Sequence, residues 1–229
     1  MQNTHIQTHT STASVRSAET DLTEDQLPQV DIYKYKQVIF VGDSRTEFME
    51  NVLTGMGESA TKNVKFVCSA GKGLDWFTTT GWAQLYSIVQ HDSNSILSKK
   101  TAVIFNFGVN DLSKSADYAE YYNWIAPQLK SKGCELYFMS VNPVNRLMLS
   151  NAGRADRSEA AVRSFNQYMK ANLSSAYTYI DMYSYLKSTG YSFASDHYGT
   201  GTVDDGLHYT TRTYKRIFAK CMDSLRVPA

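Results

Sequence analysis

Five short apolar runs, each followed by a stretch with helical spacing, set the tightest limit on how this chain can fold. "QVIFVG", "VKFVCSA", "TAVIFNFG", "ELYFMSV" and "YTYID" follow one another along the sequence, and several end at Gly or at Asn142-Pro143. Runs this short and this apolar predict strands buried on both faces. Between them, "SRTEFMENVLTGMG" sets Phe48, Val52 and Leu53 on one side of a helix and stops at glycine. "GWAQLYSIVQHDSNSIL" does the same with Leu85, Ile88 and Val89. "ADYAEYYNWIAPQLKSKG" reads as a helix in which Pro127 threatens a kink or a break. "SEAAVRSFNQYMKANL" is amphipathic, and "TTRTYKRIFAKCMDSL" forms the last helix after a long loop. This alternation implies an α/β fold: a five-stranded, mostly parallel open sheet, helices on both faces, right-handed crossovers.

No repeat and no second apolar core is evident, so residues 34–229 read as one domain. Residues 1–33 are rich in Thr, Ser and Gln and read as a flexible tail or linker, with His5 and His9 as solvated tail histidines. A chain of 229 residues can bury roughly 70% of its unfolded surface, so it needs no metal or disulfide staple. The three cysteines, Cys68, Cys134 and Cys221, are odd in number and far apart, which points to free thiols rather than a disulfide framework or a zinc site. No metal and no cofactor is expected. The balance of 23 Lys and Arg against 22 Asp and Glu argues against nucleic acid as the main partner. No stretch approaches the roughly 20 apolar residues of a membrane span, and the first residues lack an apolar signal core.

In open parallel sheets, ligand sites gather at the carboxyl ends of the strands. Four segments there carry side chains suited to chemistry. "VGDSRTEF" places Ser44 between the first strand and the first helix, where unpaired N–H groups and the helix dipole favour negative charge. "SAGKGLDW" offers Gly71 and Gly73, whose backbones can approach a ligand closely. "FGVNDL" offers Asn110, a carboxamide able to donate to an oxyanion. "DDGLHYT" sets Asp205 three residues before His208, read as one loop supplying a base and the carboxylate that orients it. "SDHYG", with Asp196 and His197, is a weaker rival pair, since adjacent side chains point apart. Taken singly, each segment is also accounted for by a helix cap or a turn.

Together and in this order, the blocks resemble the SGNH hydrolases, also called the GDSL esterase/lipase family. The resemblance runs from about Lys34 to the C-terminus and rests on Ser44 in "GDS", a glycine in "GKG", Asn110 in "GVND" and His208 in "DGLH". It implies a three-layer SGNH/flavodoxin-like sandwich. It also implies that Ser44 is the nucleophile, His208 the general base and Asp205 its orienting partner. The oxyanion hole would combine the Ser44 N–H, a block-two glycine N–H and the Asn110 side chain. Gly71 and Gly73 compete for the block-two position, and Gly73 is preferred because "GLDW" opens a new segment. Arg45 departs from the family's "GDSL", where leucine stands.

Arg45, Trp76 and Tyr209 are the candidate substrate contacts, while Trp82 and Trp124 are expected to pack on helices. The loop "NPVNRLMLSNAGRADR" is a candidate cleft wall, with Arg146 and Arg154 as substrate contacts or surface charge. The resemblance implies a metal-independent serine esterase working through an acyl-enzyme on a small-molecule or polysaccharide acyl ester. An O-acetyl group on a carbohydrate is the favoured substrate, which would suit a secreted or cell-surface location. The alternatives are an O-acetyltransferase using the same intermediate, a lysophospholipase or thioesterase, or a non-catalytic carbohydrate-binding module.

Overall fold

The computed structural model describes residues 21–31, 34–92, 99–195 and 204–226. Strands β1 (Tyr35–Gly42), β2 (Val64–Cys68), β3 (Lys100–Asn106), β4 (Cys134–Met139) and β5 (Tyr177–Ile180) form one sheet in the order β2-β1-β3-β4-β5. Every pairing in it is parallel. Two elements open after the first strands: α1 (Ser44–Thr54) after β1, and after β2 the short α2 (Leu74–Trp76), which continues through a π-turn over Phe77–Gly81 into α3 (Trp82–Asp92). Then follow α4 (Ser115–Lys130), α5 (Arg146–Asn151), α6 (Glu159–Asn172), α7 (Met182–Thr189) and α8 (Thr211–Ser224). A separate antiparallel pair, β6 (Phe193–Ser195) and β7 (Asp204–Tyr209), precedes α8.

The period of two along each strand divides the core. Ile39, Val41, Val103, Phe105, Leu136 and Phe138 face one side, where Leu85 and Val89 of α3, Tyr118 and Tyr122 of α4 and Val162 and Phe165 of α6 cover them. Val38, Phe40, Ala102, Ile104, Tyr137 and Met139 face the other, under Met49 and Leu53 of α1, Leu186 of α7 and Ile217 and Phe218 of α8. The strands thus read as continuous apolar runs because both faces are covered. Truncating one of the fully buried rings, such as Phe105, to alanine would cost roughly 3–5 kcal/mol in lost burial and cavity formation.

Several local expectations change. The buried stripe of α1 is Met49 and Leu53, with Phe48 and Val52 only partly covered. Pro127 lies inside α4 without ending it; Ile125, Ala126 and Leu129 around it are buried, and that packing outweighs the missing N–H. The segment after α3 expected to extend it, residues 93–97, lies outside the described residues. "DDGLH" is strand β7 rather than a loop.

Part of the expected tail packs against the rest of the chain. Leu27 and Val30 are buried at 3% and 7% exposure, and Lys215 Nζ donates to Asp21 Oδ1 at 3.1 Å and to the Leu22 carbonyl at 2.8 Å. The rest of the expected tail, with His5 and His9, lies outside the described residues, as does the Asp196–His197 pair. Cys68, Cys134 and Cys221 are free thiols, as expected. Among the described residues no helix is long and apolar enough to cross a membrane.

Candidate active site

Strand β1 ends at Gly42, where a Cβ would come within 2.0 Å of Thr46 Oγ1 and 3.0 Å of the Asn106 carbonyl. Only glycine lets α1 fold back this closely on the strand. Asp43 caps α1 by accepting the Arg45 N–H at 3.0 Å, so Ser44 becomes the first helical residue. Its N–H belongs to the set that has no acceptor within the helix. Asp43 is fully buried, and burial raises its carboxyl to about 6 even though the Arg45 charge and N–H oppose the shift.

Ser44 Oγ lies 2.8 Å from His208 Nε2, and His208 Nδ1 lies 2.5 Å from Asp205 Oδ2. A carboxylate accepts only, so Nδ1 carries the proton towards Asp205. In the neutral ring Nε2 is then the acceptor, and the Ser44 hydroxyl donates to it. Asp205 Oδ1 accepts the Leu207 and His208 N–H groups at 2.7 and 2.8 Å, and Arg154 Nη2 stands 3.3 Å from Oδ2. Burial raises the Asp205 carboxyl, but the bonds from the His208 ring and from the two N–H groups outweigh it and hold the group at about 2. The positive φ of Gly206, +70°, makes the bend that folds this carboxylate back onto its own strand. A Cβ there would also meet the Asn145 carbonyl at 2.5 Å. Phe48 sets an edge contact against the His208 ring, with centroids 4.5 Å apart. A histidine placed in this way can take a proton from a serine hydroxyl, with the carboxylate stabilising the imidazolium that forms.

The parallel register aligns Gly42 with Cys68 on one side and Asn106 on the other, so the chain beyond all three strands emerges at one end of the sheet. There Asn110 Nδ2 donates to the Lys72 carbonyl at 2.8 Å, and Asp111 Oδ2 accepts the Leu74 N–H at 2.9 Å. These two bonds tie the segment around Gly73 to the segment around Asn110. Gly73 precedes α2, and a Cβ on it would fall 2.3 Å from Asp111 Oδ2; Gly71 is open, with nothing within 4 Å.

Two of the expected substrate contacts are buried and bonded within the protein. Arg45 is buried at 3% exposure; its guanidinium donates to the carbonyls of Leu207 at 3.1 Å, Asn142 at 2.9 Å and Pro143 at 3.1 Å, and stands 5.4 Å over the Tyr209 ring. Tyr209 is buried too, and its hydroxyl donates to the Pro143 carbonyl. Together they brace β7 against the loop after β4. Tyr209 also lines a cavity of about 660 Å³ between α1 and α8, with Phe48, Val52, Met56 and Tyr214.

Trp76 is partly buried against the core, its ring 6.0 Å from Phe107. Trp82 and Trp124 pack together at 6.5 Å, although Trp124 remains 58% exposed. Arg146 is an exposed partner of Asp156, bonded at 2.7 and 2.8 Å. Asp111 and Arg157 lie at the site without having been singled out. Asp111 adjoins Asn110 in the sequence and reads there as turn chemistry, while Arg157 sits in a polar loop with no pattern of its own.

The sequence also matches the family model for GDSL-like lipase/acylhydrolase over residues 38–221. The chain belongs to this family of hydrolases. A comparison with curated proteins gave no match. Among solved structures, a candidate SGNH hydrolase from Slackia heliotrinireducens superposes with a TM-score of 0.56 at 12% identity, covering 84% of this chain and 100% of that one. A candidate acylhydrolase from Bacteroides fragilis gives 0.54 at 17% identity, covering 89% and 92%. An acetyl xylan esterase gives 0.52 at 11% identity, covering 82% and 99%. At such identities the likeness shows the fold: the GDSL-type three-layer α/β sandwich with its parallel sheet.

Proposed function

We propose that this GDSL-family protein is a serine esterase that removes short O-acyl groups, acetyl above all, from a carbohydrate through an acyl-enzyme. The observation that carries the reading is the unbroken chain of bonds from Ser44 Oγ through His208 to Asp205. His208 takes the Ser44 proton as Oγ attacks the ester carbonyl. The oxyanion receives hydrogen bonds from the Ser44 N–H, the Gly73 N–H and the Asn110 carboxamide. His208 then protonates the leaving alcohol, and water attacks the acyl-enzyme with the same histidine as base. Each oxyanion donor is worth on the order of a hundredfold in rate. The acetyl and carbohydrate part is supported by the likeness to an acetyl xylan esterase and by the partly buried Trp76 ring just beyond Gly73.

The test is hydrolysis of p-nitrophenyl acetate, butyrate and octanoate in EDTA by the parent and by Ser44→Ala, followed by acetate release from acetylated xylan. The reading expects acetate to be preferred, EDTA to leave the rate unchanged and Ser44→Ala to abolish it. Preference for octanoate would overturn the short-acyl assignment. Activity surviving in Ser44→Ala would overturn the nucleophile.

A further inference from the structure

Arg157 holds the Asn110 carboxamide from the side opposite Lys72. Its Nη2 donates to Asn110 Oδ1 at 2.9 Å, its Nε to the neighbouring Val109 carbonyl at 2.7 Å and its Nη1 to the Ala155 carbonyl at 3.2 Å. An amide group has nearly the same shape when its oxygen and nitrogen exchange places, so only its partners decide which end faces where. Here the two partners make opposite demands. A guanidinium donates only, so it requires the oxygen; the Lys72 carbonyl accepts only, so it requires the nitrogen. One orientation satisfies both, and it leaves the second N–H of Nδ2 as the remaining donor. The same loop reaches the other half of the site, because Arg154, three residues earlier, pairs with Asp205 at 3.3 Å.

We infer that Arg157 is a positioning residue of the oxyanion hole, fixing the Asn110 amide so that an N–H rather than a lone pair meets the developing negative charge. The inference rests on the esterase reading above. Without Arg157 the carboxamide can rotate or flip, and a flipped Oδ1 would repel the oxyanion. The interaction matters most in the transition state, so its loss lowers kcat more than it raises KM.

Steady-state kinetics on p-nitrophenyl acetate test this with the parent, Arg157→Ala, Arg157→Lys, Asn110→Ala and the double variant Arg157→Ala/Asn110→Ala, with thermal melts of each and Ser44→Ala as reference. Arg157→Ala should lower kcat by about 10–100-fold, part of the loss expected for a missing oxyanion donor, with KM within about twofold. Arg157→Lys should recover only part, because one ammonium cannot reproduce the fork. The double variant should be no slower than Asn110→Ala alone, since a residue acting through Asn110 has nothing left to act on. Parental kcat in Arg157→Ala, or losses that multiply in the double variant, would overturn the inference. If Arg157→Ala does not fold, Arg157→Lys carries the test, and parental kcat in it would overturn the inference equally. Activity surviving in Ser44→Ala is a different failure: it would overturn the esterase reading itself, and this inference with it.

Discussion

Asp111 stands directly against Gly73, and a Cβ on that glycine would lie 2.3 Å from the Asp111 carboxylate that holds the Leu74 N–H. Gly73→Ala must therefore push the carboxylate away and shift the turn whose N–H is proposed to meet the oxyanion. We expect kcat to fall by about 10–1,000-fold. Gly71 is the contrasting case: its φ of +69° strains any other residue, yet nothing lies within 4 Å of its Cβ position. Gly71→Ala should lose about 1–2 kcal/mol of stability and keep its kcat once folded. Kinetics and denaturant midpoints measured side by side would separate the two, and the opposite pattern would transfer the donor role to Gly71.

Arg45 should behave as a brace and not as a substrate contact. Its charge is buried on three carbonyls, and truncation would take this donor from the Leu207 and Asn142 carbonyls, while Pro143 keeps the Tyr209 hydroxyl. Arg45→Ala should cost roughly 3–5 kcal/mol of stability, read as a large fall in melting temperature. A variant that melts like the parent but shows a raised KM would restore the substrate-binding role.

The chain was legible where chemistry and strand ends coincide locally. Ser44 and Asn110 sit in short segments after apolar runs, and with the Asp205–His208 spacing they were grouped through their joint resemblance to the family's blocks; that the last pair stands on a separate antiparallel strand was not visible. The role of Arg45 was not legible, because its acceptors lie 97, 98 and 162 residues away in the sequence. Arg157 was hidden for the same reason, 47 residues from Asn110. β7 was read as a loop because Gly206 interrupts it and its partner strand is only three residues long. Leu27 and Val30 were missed because two apolar residues in a polar stretch make no period.

Asp43 gives a stability difference that depends on pH. Its folded carboxyl sits at about 6, raised above 3.8 first by burial. A raised carboxyl contributes stability that is complete below the unfolded value and is lost as pH climbs through the folded one. Asparagine caps a helix as well as aspartate does and cannot ionise. Relative to the parent, Asp43→Asn should therefore gain roughly 2 kcal/mol between pH 4 and pH 7. Urea titrations of both proteins across that range would show it, and a difference flat with pH would contradict it.

Asp205, held at about 2, stays ionised across any practical assay range. The acid limb of a rate profile should therefore not belong to it. Asp205→Asn should reduce kcat by about 10³–10⁴-fold, because the amide no longer fixes the tautomer that leaves Nε2 free to accept the Ser44 proton. A loss smaller than about tenfold at neutral pH would remove Asp205 from the triad.

The most direct measurement is to trap the intermediate. The parent would be mixed with p-nitrophenyl acetate, quenched in acid within the first turnovers and digested for peptide mass mapping. The peptide that carries Ser44 should gain the mass of one acetyl group, and the equivalent digest of Ser44→Ala should show none. An acetyl group on a different residue, or rapid turnover with no acylated peptide at all, would contradict it.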